Sequence, residues 1–342
     1  MATFTSPTPI WKRASSGILY RPEFSVFIGL ALVYVFFLVF SSPAYHSQGG
    51  TSTWLDPGAE LGIVAIPVAL LMIAGEFDLS VGSILAGSSM FLALWVGHWH
   101  YNTWIGIVLS LGIGALTGLV NGLLVTRTKL PSFIVTLGTQ LVLTGVTLGG
   151  STLLTGSSSI DMTASHSAQV VFASNWHQFN ISILWWLAIA AIGHHVLVNT
   201  RTGNWITAIG GDIETASRAG VQTSRVRIGL FVATGLGAAL VGIIQSIEYN
   251  GSQAANGQTY VFNAIIASVI GGVLLTGGFG TILGVVLGAL TYQVATQGIY
   301  FTGWDTDWSQ ALIGGLLLVA VIANNWFRKA AISRGVKKGE RA

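Results

Sequence analysis

The chain has 342 residues, 52% of them hydrophobic and 8% charged, against roughly a quarter charged in a soluble domain, and its mean hydropathy of +0.70 excludes a water-soluble fold. Its net charge of +3 comes with no basic stripe interleaved with aromatics, so nucleic acid is set aside as a partner. The absence of cysteine removes disulfides, zinc–thiolate sites and thiol nucleophiles together.

Lys and Arg are missing between Arg21 and Arg127, between Lys129 and Arg201, and between Arg227 and Arg328. All 15 basic residues therefore fall at the N-terminus, one short bend, one longer loop and the C-terminus. A charge is costly to desolvate in hydrocarbon, and Lys and Arg gather in cytoplasmic loops, so these four places mark the inner side of a lipid bilayer. At about 20 apolar residues per helix, spans are expected near 24–41, 59–75, 80–97, 103–125, 131–150, 179–198, 228–248, 261–277, 279–298 and 308–327. Ten spans return every basic cluster to one side; nine or eleven do not. The expectation is an all-α integral membrane protein, a polytopic bundle of about ten transmembrane helices with both termini inside, forming one domain over 1–342. The first apolar run, 24–40, exceeds the roughly 7–15 residues of a signal-peptide core and reads as a first span, with 45–56 as an outside loop, although small residues near Ala44 imitate a cleavage site.

Glycine occurs 44 times, and part of it is periodic: Gly114, Gly118 and Gly122 in the fourth span, Gly280, Gly284 and Gly288 in the ninth. Small residues four apart let helix backbones approach closely, either inside the bundle or across a dimer seam. A fainter echo relates 75–82 to 271–278, which both begin and end with Gly and share Leu79 and Leu275.

Enzyme signatures are absent: no His-Glu-x-x-His, no Gly-x-Ser-x-Gly, and no lysine followed by Ser or Thr as a P-loop needs. The histidine pairs His98/His100 and His194/His195 lie near span ends and read as interfacial rather than as metal ligands. Trp54, Trp95, Trp99, Trp104, Trp176, Trp308 and Trp326 suit an aromatic belt. The sharpest local signal is Ala74-Gly-Glu-Phe-Asp-Leu-Ser-Val-Gly82, which sets Glu76 and Asp78 between two apolar spans, where ionisable groups are expensive and commonly functional. Asp78 and Ser80 also resemble a helix start. A capped cytoplasmic bend, a gate or partner contact, and a cation relay all stay open for Glu76, Asp78 and Ser80.

The segment 199–227 is the one sizeable polar loop on the inner side. Within it, Asp212, Ile213, Glu214, Thr215, Ala216, Ser217, Arg218, Ala219 and Gly220 read as a short helix, with Asp212 as N-cap, Glu214 early, Arg218 late and Gly220 at the C-terminal end. So short a helix is unstable alone in water; it must lie against its own bundle or a docked protein.

Four ordered motifs carry a resemblance: Gly75-Glu-Phe-Asp-Leu-Ser-Val-Gly-Ser83, Leu130-Pro-Ser-Phe-Ile-Val-Thr-Leu-Gly-Thr139, Ala208-Ile-Gly-Gly-Asp-Ile-Glu-Thr-Ala-Ser-Arg-Ala-Gly-Val221 and Ile270-Gly-Gly-Val-Leu-Leu-Thr-Gly-Gly-Phe-Gly280. The chain resembles the membrane permease subunits of bacterial ABC importers for ribose, xylose and similar monosaccharides. Members commonly have Ile where Phe77 stands, Asn where Asp212 stands, and Ala-Ala where Ala216-Ser217 stand. The resemblance implies an inner-membrane permease that pairs with a second permease copy or paralogue, two cytoplasmic ATPases and a periplasmic sugar-binding protein. It implies no cofactor in this chain, with ATP and magnesium on the partner ATPase, and it makes 212–220 the coupling helix. Polar residues that could line the path are Thr136, Thr139, Gln140, Gln245, Asn263 and Gln293, although buried helix–helix hydrogen bonds account for such residues equally well. The alternative is an ion-coupled secondary transporter or channel, with Glu76 and Asp78 binding the ion. The sequence leaves the solute open among pentoses, hexoses, polyols, furanose signalling sugars and nucleosides.

Overall fold

The computed structural model describes residues 22–322. Lys12, Arg13, Arg21, Trp326, the basic residues from Arg328 onward and 323–327 of the last expected span lie outside the described residues. In chain order the helices are α1 (Pro22–Phe40), α2 (Gln48–Ile73), α3 (Val81–Ala93, continued by a π turn, Leu94–His98), α4 (Thr103–Thr128), α5 (Ser132–Thr155), short α6 (His166–Phe172), α7 (Ser182–Asn199), α8 (Arg201–Gly211), α9 (Ile213–Arg218), α10 (Thr223–Glu248), α11 (Tyr260–Ile270), α12 (Ile282–Gly298) and α13 (Trp308–Ile322). Eight of these are long and apolar enough to cross a membrane, and α11 and α13 are shorter apolar helices. The only strands among the described residues form two small antiparallel pairs: β1 (Ser159–Asp161) with β4 (Gly251–Gln253), in the register Ser159↔Gln253, and β2 (Asn175–Trp176) with β3 (Phe179–Asn180).

A helix apolar on all sides must be surrounded, and α2 takes that place: 89% of its most apolar stretch is buried, against 17% for α5 and for α7. The outer helices keep Leu141, Leu153, Leu184 and Ile192 exposed, because lipid tails are as apolar as the side chains and nothing drives them inward. The periodic glycines resolve as seams within the chain. A methyl added at Gly114 or Gly118 would strike the carbonyls of Gly235 or Phe231 on α10, one at Gly122 would come within 2.8 Å of the Ile228 Cα, and one at Gly288 would strike the Ala267 carbonyl on α11. By contrast Gly138, Gly145 and Gly149 on α5 face open space.

Two boundaries differ from the sequence expectation, each for a local reason. The outside loop expected over 45–56 is mostly helix: the Ser47 side chain accepts from the Gly50 amide at 3.0 Å, starting α2 early, and Pro57 and Pro67 are accommodated inside it. The span expected near 261–277 stops at Ile270. Gly272, Gly277 and Gly278, with φ of +90°, +77° and +81°, turn 271–281 into an open bend, a backbone that residues with a Cβ rarely adopt.

Candidate functional site

The bend 74–80 between α2 and α3 is sunk in the bundle. Its Asp78 is 1% exposed: Oδ1 accepts from the Ser80 amide at 2.9 Å and the Ser80 hydroxyl at 2.6 Å, and Oδ2 accepts from the Thr234 hydroxyl of α10 at 2.6 Å. Ser80 Oγ accepts from Asn121 Nδ2 of α4 at 2.8 Å, and Asn121 Oδ1 accepts from Thr139 of α5 at 2.7 Å. Two further α5 hydroxyls accept from bend amides, Ser132 from Phe77 and Thr136 from Leu79, both at 3.0 Å. Thr234 lies 11 residues into α10, about 16 Å at 1.5 Å per residue, so the carboxylate sits well below the helix ends rather than at a surface mouth. Ser80 stands at the N-cap of α3 without a side-chain cap bond; Asp78 instead closes an Asx turn onto Ser80. Glu76 forms an ion pair with Arg227, the fifth residue of α10, the two side chains 12% and 14% exposed.

The polar segment after α7 holds two helices rather than one. α8 begins at Thr200, whose hydroxyl accepts from the Gly203 amide at 3.3 Å, and it buries Gly203, Ile206 and Ile209 on one side. At Asp212 the chain turns with φ −161°, and α9 follows. The Asp212 carboxylate accepts from the Thr215 amide at 2.6 Å, which together with the Thr215 hydroxyl holds its carboxyl below the usual range. Because the folded value is depressed, the cap is complete above the ordinary carboxylate pKa and fades only as pH falls through the lower one. Gly220, with φ +86°, ends the helix: its amide donates to Ser217 O at 3.0 Å and the Val221 amide to Ala216 O at 3.1 Å, a Schellman motif. Only Ala216 is buried; Asp212, Ile213, Glu214, Thr215, Ser217, Arg218, Ala219 and Gly220 are exposed, and Arg218 lies 3.7 Å from Glu214.

Gly210, near the end of α8, joins this surface helix to both bends. A methyl there would strike the Ile73 carbonyl at the end of α2 and come within 2.5 Å of the Gly278 amide, the two atoms that hydrogen-bond each other at 2.8 Å. Gly277 in turn faces the Gly75 Cα and the Gly210 carbonyl, each at 3.0 Å from its missing Cβ. Backbone from three segments meets here with no side chain between.

The six candidate path residues divide. Thr136 and Thr139 belong to the brace around Asp78. Gln245 Nε2 donates to Glu60 Oε2 at 2.7 Å and to the Tyr260 hydroxyl at 2.9 Å, and Gln293 Nε2 donates to Pro57 O at 3.4 Å. Gln140 and Asn263 are half-buried and make no side-chain hydrogen bond among the described residues.

Residues 51–321 match a family described as branched-chain amino acid transport system / permease component. The chain belongs to this permease family. The permease is 33% identical to the fructose import permease protein of Rhizobium meliloti over 316 residues, 89% of this chain and 85% of that one. It is 32% identical to an inner membrane ABC transporter permease protein of Escherichia coli (strain K12) over 303 residues, 86% and 89% of the two chains, and 28% identical to the ribose import permease protein of the same organism over 290 residues, 83% and 88%. No solved structure matches it. The permease is thus a polytopic helical membrane protein of a transport system, and not itself an enzyme.

Several residues that position this machinery in the permease carry little signal in the sequence. Arg227 stands among the loop cations there, although it is the counter-ion of Glu76. Glu60 sits inside an expected span, and a carboxylate at such a depth is itself a signal. Asn121 follows Gly118 by three positions, which puts it on the seam face of α4. The spacing of Gly203, Ile206 and Ile209 is the helical period that marks α8.

Proposed function

We propose that the permease is the membrane-spanning subunit of an ATP-binding cassette importer in a bacterial inner membrane, with both termini inside. It forms the path for a monosaccharide or related small polar solute delivered by a periplasmic binding protein. One observation carries this reading: α9 is capped at both ends, exposed on nearly every residue, and separated from Gly210, where α8 touches both bends, by only Gly211 and Asp212. A helix this short needs a partner surface, and a groove in a cytoplasmic ATPase holding ATP and magnesium would supply it. A push on α9 would reach Ile73 and Gly278 directly through Gly210. The names of the fructose and ribose import permeases support a sugar as the solute. Gln140 and Asn263 are the candidate path residues that make no side-chain hydrogen bond among the described residues.

A second copy would seat on α5, where Gly138, Gly145 and Gly149 leave room for a helix to approach. The bend argues against ion coupling, since Glu76 is paired with Arg227 and Asp78 has both oxygens engaged. The reading is tested by co-reconstituting the permease with its ATPase and binding protein in vesicles. Labelled sugar should accumulate only with ATP on the ATPase side and should survive dissipation of the proton and sodium gradients. Uptake that follows an ion gradient in ATP-depleted vesicles would replace it with secondary transport.

A further inference from the structure

At the end of α10 remote from α9, about 39 Å away for 26 residues, a polar cavity of about 410 Å³ opens between the β1–β4 pair, Tyr249 and the start of α11. The ladder fixes its floor: the Met162 amide donates to Asn250 O and the Ala254 amide to Ser158 O, both at 2.9 Å, and Ser252 is tied to Ser89 at 2.6 Å. Its inner wall is Gln245 and Tyr260, and both are set from behind by Glu60, which is 4% exposed. The Tyr260 hydroxyl donates to Glu60 Oε2 at 3.0 Å, alongside the 2.7 Å bond from Gln245. Gln245 spends its amide protons on Glu60 and Tyr260, which leaves its carbonyl oxygen as an acceptor. Asp161 and Gln253 are exposed and Asn256 is half-buried, and none makes a side-chain hydrogen bond among the described residues. Tyr249, 64% exposed, adds a ring at the rim.

The geometry points to a subsite for a neutral polyhydroxylated ligand, a single monosaccharide, on the outer face of each permease copy. The volume falls in the range of small-molecule sites, about 300–1,000 Å³. Amides and a carboxylate match hydroxyls that both donate and accept, and a tyrosine ring offers an apolar face to sugar C–H groups. The same wall rejects the other classes. No Lys, Arg or His lines it, so a phosphate or an amino-acid carboxylate finds no counter-charge, and Asp161 repels one. A branched-chain amino acid would also need an aliphatic pocket for its side chain, and no aliphatic side chain lines this cavity. The placement on the outer side rests on the importer reading above; the pocket itself does not.

The test uses the full-length permease in lipid nanodiscs, probed by saturation-transfer NMR with ribose, xylose and fructose, and with leucine as a control. At least one sugar should give signal and leucine none. Asn256→Leu and Gln253→Leu should weaken sugar binding about threefold to tenfold, the range for one lost hydrogen bond, while Tyr249→Phe retains it and Tyr249→Ala does not. These side chains are at the surface or free of partners, so the variants should insert normally, which size-exclusion profiles check. ATP-driven uptake by the reconstituted importer is measured in parallel. Uptake and sugar signal both unchanged in Asn256→Leu and Gln253→Leu, or no sugar signal from the wild type, would overturn the subsite and leave the importer standing. Sugar signal lost in the variants, with no ATP-driven uptake in the wild type, would uphold the pocket and sink the importer.

Discussion

The two bends solve one problem by opposite means. Both break the chain between two helices and must satisfy the backbone groups freed there; the first is largely buried, whereas the second exposes Leu275, Thr276 and Phe279 at its tip. The first, 74–80, does it with side chains: Asp78 and Ser80, supported by Ser132, Thr136, Thr139, Asn121 and Thr234 from α4, α5 and α10, and Glu76 paired with Arg227. The second, 271–281, has no charge and does it with glycines in left-handed conformations that let its Gly278 amide reach the Ile73 carbonyl. The first is held by many directional bonds; the second is held by close approach and depends on Gly210 having no side chain. A coupling motion that pivots at these bends would therefore meet a stiff polar joint on one side and a sterically tight, chemically bare joint on the other.

The largest effect should come from splitting the Glu76–Arg227 pair. Arg227→Ala leaves a nearly buried carboxylate alone and should cost about 3–5 kcal/mol, read as loss of folded permease in a thermal-shift or expression assay. The double replacement Glu76→Met/Arg227→Met should recover most of that loss, because the penalty lies in the orphaned charge.

Asp78 sharpens the comparison next. Asp78→Ala removes the acceptor of three donors and leaves the buried Ser80 amide unpaired, a loss of about 1–3 kcal/mol. Asp78→Asn keeps the Ser80 turn, and the Thr234 hydroxyl, already 2.8 Å from Phe231 O, can donate there instead. A brace thus predicts Asn near wild type and Ala impaired in both folding and uptake. Both impaired in uptake at normal expression would mean that the charge itself acts, as in a gate.

The second bend should show the smaller, steric kind of loss. Gly278→Ala forces a Cβ onto a left-handed backbone, about 1–2 kcal/mol, at 3.3 Å from the Gly211 amide. The loss should be insensitive to residue polarity, with Ser no better than Ala, whereas polarity decides the outcome at the first bend.

Much of this is legible in the sequence alone. Apolar runs between the basic clusters mark the helical membrane fold because Lys and Arg cannot rest in hydrocarbon, although eight helices rather than ten are long enough to span among the described residues, and the caps at Asp212 and Gly220 mark α9 because capping is local chemistry. What escaped depends on three-dimensional partners. The glycine echo between 75–82 and 271–278 is faint in the sequence, yet Gly75 and Gly277 pack together, a contact about 200 residues apart that no local pattern encodes. Thr136 and Thr139 read equally as path or as packing, and only the positions of Leu79 and Asn121 assign them to the brace. Glu60 was hidden by its apolar neighbours, and its role shows only once Gln245 and Tyr260 converge on it.

The most direct test of the account is charge reversal on α9. Glu214 and Arg218 are more than four-fifths exposed, and an exposed pair at this spacing contributes only about 0.3–0.5 kcal/mol, so Glu214→Lys and Arg218→Glu should leave folding and insertion intact. ATP hydrolysis and labelled-sugar uptake are then measured together in vesicles carrying the permease, its ATPase and its binding protein. The account predicts that uptake falls in both variants while the ATPase either detaches or hydrolyses ATP without transport. Wild-type uptake per ATP in both would contradict it.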